Sequence, residues 1–176
     1  MALRQILRSS PLPSPSTFST PLRLLSTAHS LLASTPLAPG SVVVQSNADS
    51  PTGQALIQEA KQRGLKTINI IPDQAGSGET IERLKRLGGD VVVTESYCKT
   101  WFLPRVVSDL PKPALGVTAT EGAAATAVAK LVAPGGTLVA YGGVKLSGKV
   151  VYGGAERRPV AWGDYLKGRK LALKSV

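Results

Sequence analysis

The chain is poor in the residues from which most self-contained active sites are built. Its 176 residues include one cysteine, one histidine and one methionine. With Cys98 alone, an internal disulfide and a cysteine metal cluster are excluded. With His29 alone, and near the N-terminus, there is no material for a Ser-His-Asp triad or a histidine metal site. Aromatic residues make up 5% of the chain, and no interleaving of aromatic and basic residues marks a known RNA-binding module. No apolar run is long enough to cross a bilayer, which predicts a protein without a membrane span.

Acidic residues are absent from one end. Residues 1–48 carry Arg4, Arg8 and Arg23 and no carboxylate. Pro11, Pro13 and Pro15 lie among serines and threonines there. An arginine-bearing, serine-rich, acid-free leader predicts a disordered organelle import segment, with mitochondria favoured over chloroplasts. Leu22–Leu25 and Leu31–Leu32 then predict a helix ending before Pro36, either the end of the import signal or a lead-in helix. The formal charge of +10 also draws on the other end. Lys145, Lys149, Arg157, Arg158, Lys167, Arg169, Lys170 and Lys174 face only Glu156 and Asp164 there. Such a tail suits phosphate groups, RNA or an acidic carrier protein, or is simply a solvated face.

What the chain does have is a regular alternation of apolar runs and amphipathic stretches. Val42–Val44 is a short β-branched run suited to a strand covered on both faces. After Gly53, Ala55, Leu56, Ala60 and Leu65 recur at helical spacing, with Glu59, Lys61, Gln62 and Arg63 on the wet side. Gly64 stops that helix and Thr67–Ile71 restarts a strand. Glu79–Leu87 is a helix with acids in its first turn and bases later, matching the helix dipole. Asp90–Thr94 reads as a third strand and Glu95–Leu110 as a broken helix. Ala114–Thr118 is a fourth strand, Gly122–Val132 an alanine-rich helix and Thr137–Tyr141 a fifth strand. Lys170–Lys174 supplies one more. The order predicts an α/β protein, a Rossmann-like doubly wound parallel sheet of about six strands. Residues 1–36 are assigned to the import peptide and lead-in helix, and residues 37–176 to a partial nucleotide-binding domain.

The turn after the first strand, Asn47-Ala48-Asp49-Ser50-Pro51-Thr52-Gly53, keeps only the last glycine of a dinucleotide fingerprint. Pro51 has no N–H to give a phosphate. Asp49 sets a negative charge near the expected anion site.

Several segments resemble one family. Leu37-Ala38-Pro39-Gly40, Gly53-Gln54-Ala55-Leu56-Ile57-Gln58 and Gly64-Leu65-Lys66-Thr67-Ile68-Asn69 carry the likeness in the first half. Leu84-Lys85-Arg86-Leu87-Gly88-Gly89-Asp90 and Gly135-Gly136-Thr137-Leu138-Val139-Ala140-Tyr141-Gly142-Gly143 carry it later. Together they resemble the nucleotide-binding domain of mitochondrial trans-2-enoyl-thioester reductases, which are medium-chain dehydrogenases/reductases.

The resemblance implies an oxidoreductase that uses NADPH to reduce the 2,3-double bond of an acyl thioester in mitochondrial fatty acid synthesis. The thioester would be carried by CoA or acyl carrier protein. It implies that Ser50, Thr52, Gly53 and Gln54 line the pyrophosphate and Tyr141, Gly142 and Gly143 the nicotinamide side. It also implies a possible homodimer. Where the family has an arginine after the second strand, this chain has Pro72 followed by Asp73, an acid suited to a ribose hydroxyl and so to NADH, or to no cofactor at all. No residue matches the family's catalytic tyrosine, and the domain that bears it has no counterpart here. The expectation is therefore a fragment or truncated form, inactive alone unless another chain completes it. The alternative is a non-catalytic subunit of an organellar assembly such as a ribosome, derived from such a reductase.

Overall fold

The computed structural model describes residues 21–100, 102–147, 150 and 160–176. The expected import segment up to Thr20, and Lys149, Arg157 and Arg158 of the basic tail, lie outside the described residues.

The elements run in the order helix α1 (Leu22–Ala33), β1 (Val42–Gln45), α2 (Pro51–Gln62), β2 (Lys66–Ile71), α3 (Ser77–Leu87) and β3 (Val91–Thr94). A 3-10 turn at Tyr97–Lys99 and the single-turn helix α4 (Leu103–Val106) lead to β4 (Leu115–Thr118). Then follow α5 (Gly122–Leu131), β5 (Thr137–Ala140), α6 (Trp162–Gly168) and β6 (Ala172–Ser175). The six strands form one sheet in the order β3-β2-β1-β4-β5-β6. Every pairing is parallel, and Val43 stands in register between Thr67 and Leu115. The expected doubly wound parallel sheet is what the chain forms.

Because successive strand residues point to opposite faces, the three valines of β1 divide between two cores. Val43 joins Val117 and Val139 beneath Ala28, Leu31 and Leu32 of α1 and Ala55 and Leu56 of α2. Val42 and Val44 join Ile68, Ile70 and Leu138 against Ala125, Val128 and Ala129 of α5 and Trp162 and Leu166 of α6. A third cluster, Ile57, Ile71, Leu84 and Val92, seats α3 on the β2–β3 side. α1 thus buries its apolar stripe in the same core as the sheet.

A buried amide pair ties the strands to α2. Gln45 Nε2 donates to Asn69 Oδ1 at 2.8 Å and to the Gly53 carbonyl at 3.0 Å. Asn69 Nδ2 donates to Thr67 Oγ1 at 2.9 Å and to the Val91 carbonyl at 3.0 Å. Each amide thus uses both of its N–H groups, as burial requires.

Two local outcomes differ from the sequence reading. α6 has no counterpart there, because Trp162, Tyr165 and Leu166 mark only a turn and a half of helix. β6 begins two residues later than expected, since Lys170 adopts a left-handed φ of 54° as the chain leaves α6.

Candidate functional site

The strand order reverses direction between β1 and β4, and the loops leaving the carboxyl ends of these two strands must part there. In open α/β sheets that parting is the crevice where ligands bind.

One lip is the turn from β1 into α2. Ser46 N–H still bonds the Val117 carbonyl at 3.0 Å and Ala48 N–H the Ile70 carbonyl at 3.1 Å, so the turn stays anchored to both neighbouring strands. Asn47 takes the left-handed conformation, φ 53°, that asparagine tolerates better than most residues. Ser50 is the N-cap of α2: its Oγ accepts from Gly53 N–H at 3.1 Å and its carbonyl from Gln54 N–H at 2.9 Å. Pro51 opens the helix, where its missing N–H costs nothing internally. This leaves Thr52 N–H without an internal acceptor among the described residues, at the positive end of the helix. Gln54 Nε2 donates to the Asp49 carbonyl at 2.7 Å, so this side chain braces the turn.

The other lip follows β5. Tyr141 is 9% exposed and packs in the α1–α2 core. Burial pushes its phenol up, while a hydrogen bond with Ser50 pulls part of the way back down. Ser50 and Tyr141 are thus neighbours across the two lips. Gly142 and Gly143 continue with φ of 71° and 79°, and a β-carbon on either would meet nothing within 4 Å. Their backbone stands open on one side, free for close approach by a ligand.

Three hydroxyls that the sequence reading missed close the floor. Thr120 Oγ1 donates to Ser46 Oγ at 3.2 Å, and Thr118 Oγ1 donates to the Thr120 carbonyl at 2.8 Å. Each hydroxyl has one proton, so the 3.0 Å contact between Ser46 and Thr118 must run from Ser46 to Thr118. The chain of bonds staples the ends of β1 and β4. Ser46 and Thr118 lie 72 residues apart, and no local pattern announces their meeting.

Asp73 sits beyond the end of β2, apart from the two lips. Its Oδ2 accepts from Ser96 N–H at 2.9 Å and its Oδ1 from Ser96 Oγ at 2.6 Å. These bonds hold its carboxyl below the usual range. Burial, then the nearby Asp73 charge, pushes the carboxyl of Glu95 up. Burial, with Glu95 and Asp73 adding to it, raises the Cys98 thiol to about 12, so this cysteine stays protonated and unreactive at neutral pH. Gln74 Nε2 reaches Asp49 Oδ2 at 3.4 Å and links this corner to the crevice. Asp49 Oδ1 is buried with no hydrogen-bond partner among the described residues.

Of the residues singled out in the sequence, Ser50, Thr52, Gly53 and Gln54 form the first turn of α2, and Tyr141, Gly142 and Gly143 face them across the crevice. Asp73 stands outside that group. The set suits a ligand with an anionic middle: a helix N-terminus with an unpaired N–H on one side, open glycine backbone on the other. The orphaned Asp49 oxygen favours a hydroxyl beside it over a phosphate.

No family model matches the chain. Among curated proteins it is similar to the mitochondrial enoyl-acyl-carrier-protein reductase of Dictyostelium discoideum, 44% identical over 108 residues. These residues are 61% of this chain and 31% of that protein. The Arabidopsis thaliana protein of the same name is 47% identical over 105 residues, 60% of this chain and 28% of its own length. The Homo sapiens protein is 37% identical over 108 residues, 61% of this chain and 29% of its length. Among solved structures, the Etr1p/NADP/crotonyl-CoA complex superposes with a TM-score of 0.71 at 19% identity, covering 90% of this chain and 42% of that one. A mutant form of enoyl thioester reductase from Candida tropicalis gives 0.69 at 19% identity, covering 87% and 41%. In sequence the chain is thus similar to the mitochondrial enoyl-acyl-carrier-protein reductases, over a stretch that amounts to 28% to 31% of the length of those compared.

Proposed function

We propose that the chain is the nucleotide-binding part of a mitochondrial 2-enoyl-thioester reductase, and that it holds NADPH in the crevice between the first turn of α2 and Gly142–Gly143. The reading rests above all on one observation. The reversal of strand order falls between β1 and β4, and Ser50 and Tyr141, near enough for Ser50 to act on the Tyr141 phenol, bring the two sets of resemblance-implied residues together beside it.

When bound, NADPH supplies the hydride that reduces the 2,3-double bond of an enoyl group carried as a thioester by CoA or acyl carrier protein. The chain's own residues bind and orient. Thr52 N–H and the positive end of α2 receive the pyrophosphate. Ser50 caps the helix and fixes Tyr141, which forms the wall on the nicotinamide side. Gly142 and Gly143 let the backbone approach closely. Gln54 steadies the turn through the Asp49 carbonyl, and the lone pairs of Asp73 not taken by Ser96 can accept from the adenosine ribose. The domain comprises residues 37–176 with α1 as its lead-in, preceded by a mitochondrial import peptide.

Reduction also requires the acyl chain within van der Waals reach of the nicotinamide and an acid to protonate the neighbouring carbon. No residue of this sequence matches the family's catalytic tyrosine, so this chain alone is read as holding cofactor without turnover. The Etr1p/Etr2p structure is a heterodimer, and the exposed outer strand β6 is the edge through which this chain would pair with a second copy.

Calorimetric titration of the purified chain with NADPH and NADH tests the reading. Saturable micromolar binding supports it, and binding of neither dinucleotide overturns it. A parallel enoyl-CoA assay is expected to show no NADPH consumption; turnover at enzymatic rates would refute the second half of the proposal.

A further inference from the structure

We propose that a cleft at the amino-terminal end of the sheet, across the domain from the dinucleotide crevice, binds a small amphipathic anion: a carboxylate on a short aliphatic chain. The cleft has a volume of about 430 Å³, within the range of small-molecule sites. It lies between the connection that leads into β4, the last turn of α5 and the residue that follows α6. Val107, Leu110 and Leu131 give it apolar walls, and Lys112, Lys130 and Arg169 stand at its rim. No carboxylate lines it among the described residues.

Arg169 is the best-defined of the three cations. Its Nη2 donates to the Val132 carbonyl at 2.7 Å, and its guanidinium lies 5.9 Å over the Tyr165 ring. These contacts fix the planar group in place. Its Nε is buried out of reach of solvent, so the group acts on the cleft through its charge and not through that N–H. A held guanidinium on a cleft lined by no carboxylate among the described residues leaves positive charge there, which an anion in the cleft would offset. Lys112 and Lys130 add charge of the same sign, so the head group is negative. No aromatic side chain lines the cleft among the described residues, which argues against a nucleotide base. The aliphatic and proline walls suit a hydrocarbon tail instead. This site shares no residue with the crevice, and the inference stands whether or not a dinucleotide binds there.

The test is calorimetry on the full chain with sodium octanoate and, as the uncharged control, 1-octanol. Octanoate is expected to bind saturably, with octanol weaker by roughly tenfold or more because it carries no charge to meet the three cations. Arg169→Met should weaken octanoate by a similar factor. Because Arg169 also holds the Val132 carbonyl, that variant can lose stability, so the exposed Lys112→Glu is the second arm. It should weaken octanoate roughly tenfold and leave octanol unchanged. Saturating NADPH should not displace octanoate. Equal affinity for the two probes, no octanoate binding, an unaffected Lys112→Glu variant or displacement by NADPH would each overturn the proposal.

Discussion

A β-carbon placed on Gly53 would stand 2.7 Å from the Cα and from the carbonyl oxygen of Ala48. The atoms it would meet are backbone, and Ala48 is fully buried, so neither partner has a side chain that can swing away. Gly53 therefore does the work of the packing glycine of a dinucleotide turn, letting α2 lie against the chain that leaves β1. Asn47, with its left-handed backbone, makes the turn that a first glycine would otherwise make.

That contact predicts the cost of filling it. Gly53→Ala should lower stability by about 1–3 kcal/mol, the usual penalty for overpacking a closed site. Urea unfolding would show this as a lower midpoint with the slope unchanged. An unchanged midpoint would mean that the turn has more freedom than the Ala48 contact allows.

Ser50 carries two duties, and its variants separate them. Ser50→Ala loses the cap on Gly53 N–H at a cost of about 1 kcal/mol. It also releases Tyr141, whose phenol should then titrate higher, because the Ser50 bond is what offsets its burial. Ser50→Thr should restore most of both. Ultraviolet titration of the tyrosines with urea melts on the three proteins measures each effect; a Tyr141 phenol unmoved in Ser50→Ala would remove the link between the lips.

A second clasp holds α1 to α2. Glu59 Oε1 accepts from Arg63 Nε at 2.9 Å and lies 3.1 Å from His29 Nδ1. Burial pushes the Glu59 carboxyl up, but the hydrogen bonds and charges of Arg63 and His29 outweigh it and hold the folded value below the ordinary 4.5. A folded value below the unfolded one stabilises the protein above pH 4.5, and that contribution fades as pH falls through the folded value. Glu59→Gln should therefore be less stable than the parent at neutral pH, with the gap closing in acid. Urea midpoints at about pH 7 and about pH 3 decide it. A gap that stays constant would show that the carboxylate charge is not what matters.

Asp73 remains ionised at neutral pH, since Ser96 holds its carboxyl low. In the proposed binding mode it faces the adenosine ribose, where the 2′-phosphate of NADPH would meet its charge. Asp73→Asn should tighten NADPH binding about fivefold, the effect of removing one like charge at about 4 Å in water. NADH affinity should not rise. Calorimetry with both dinucleotides gives the ratio, and an unmoved ratio would place Asp73 away from the ribose.

Most of this architecture is written locally in the chain. Val42–Val44, Thr67–Ile71 and Thr137–Tyr141 announce buried strands because largely β-branched or apolar runs of that length, broken only by Asn69, fit a sheet covered on both faces. The helical spacing of Ala55, Leu56 and Ala60 is equally plain. The site was half legible. Ser50, Gly53, Tyr141 and the glycine pair stand out through turn chemistry and resemblance. The Ser46–Thr118–Thr120 staple does not, because hydroxyl residues so far apart carry no periodic signal and meet only once β1 and β4 pair. Asp73 was readable as an acid beyond β2, but its engagement with Ser96 depends on how β3 leaves the sheet. α6 escaped notice because it is short and holds Gly163 and Gly168, both poor helix formers.

The most direct test is an amide NMR titration of the isotopically labelled chain with NADPH. Saturable shifts should concentrate at Thr52, Gly53, Gly142 and Gly143, with the amides near Lys112 and Lys130 unmoved. Shifts centred at that opposite end of the sheet, or none at all, would contradict the assignment of the crevice as the cofactor site.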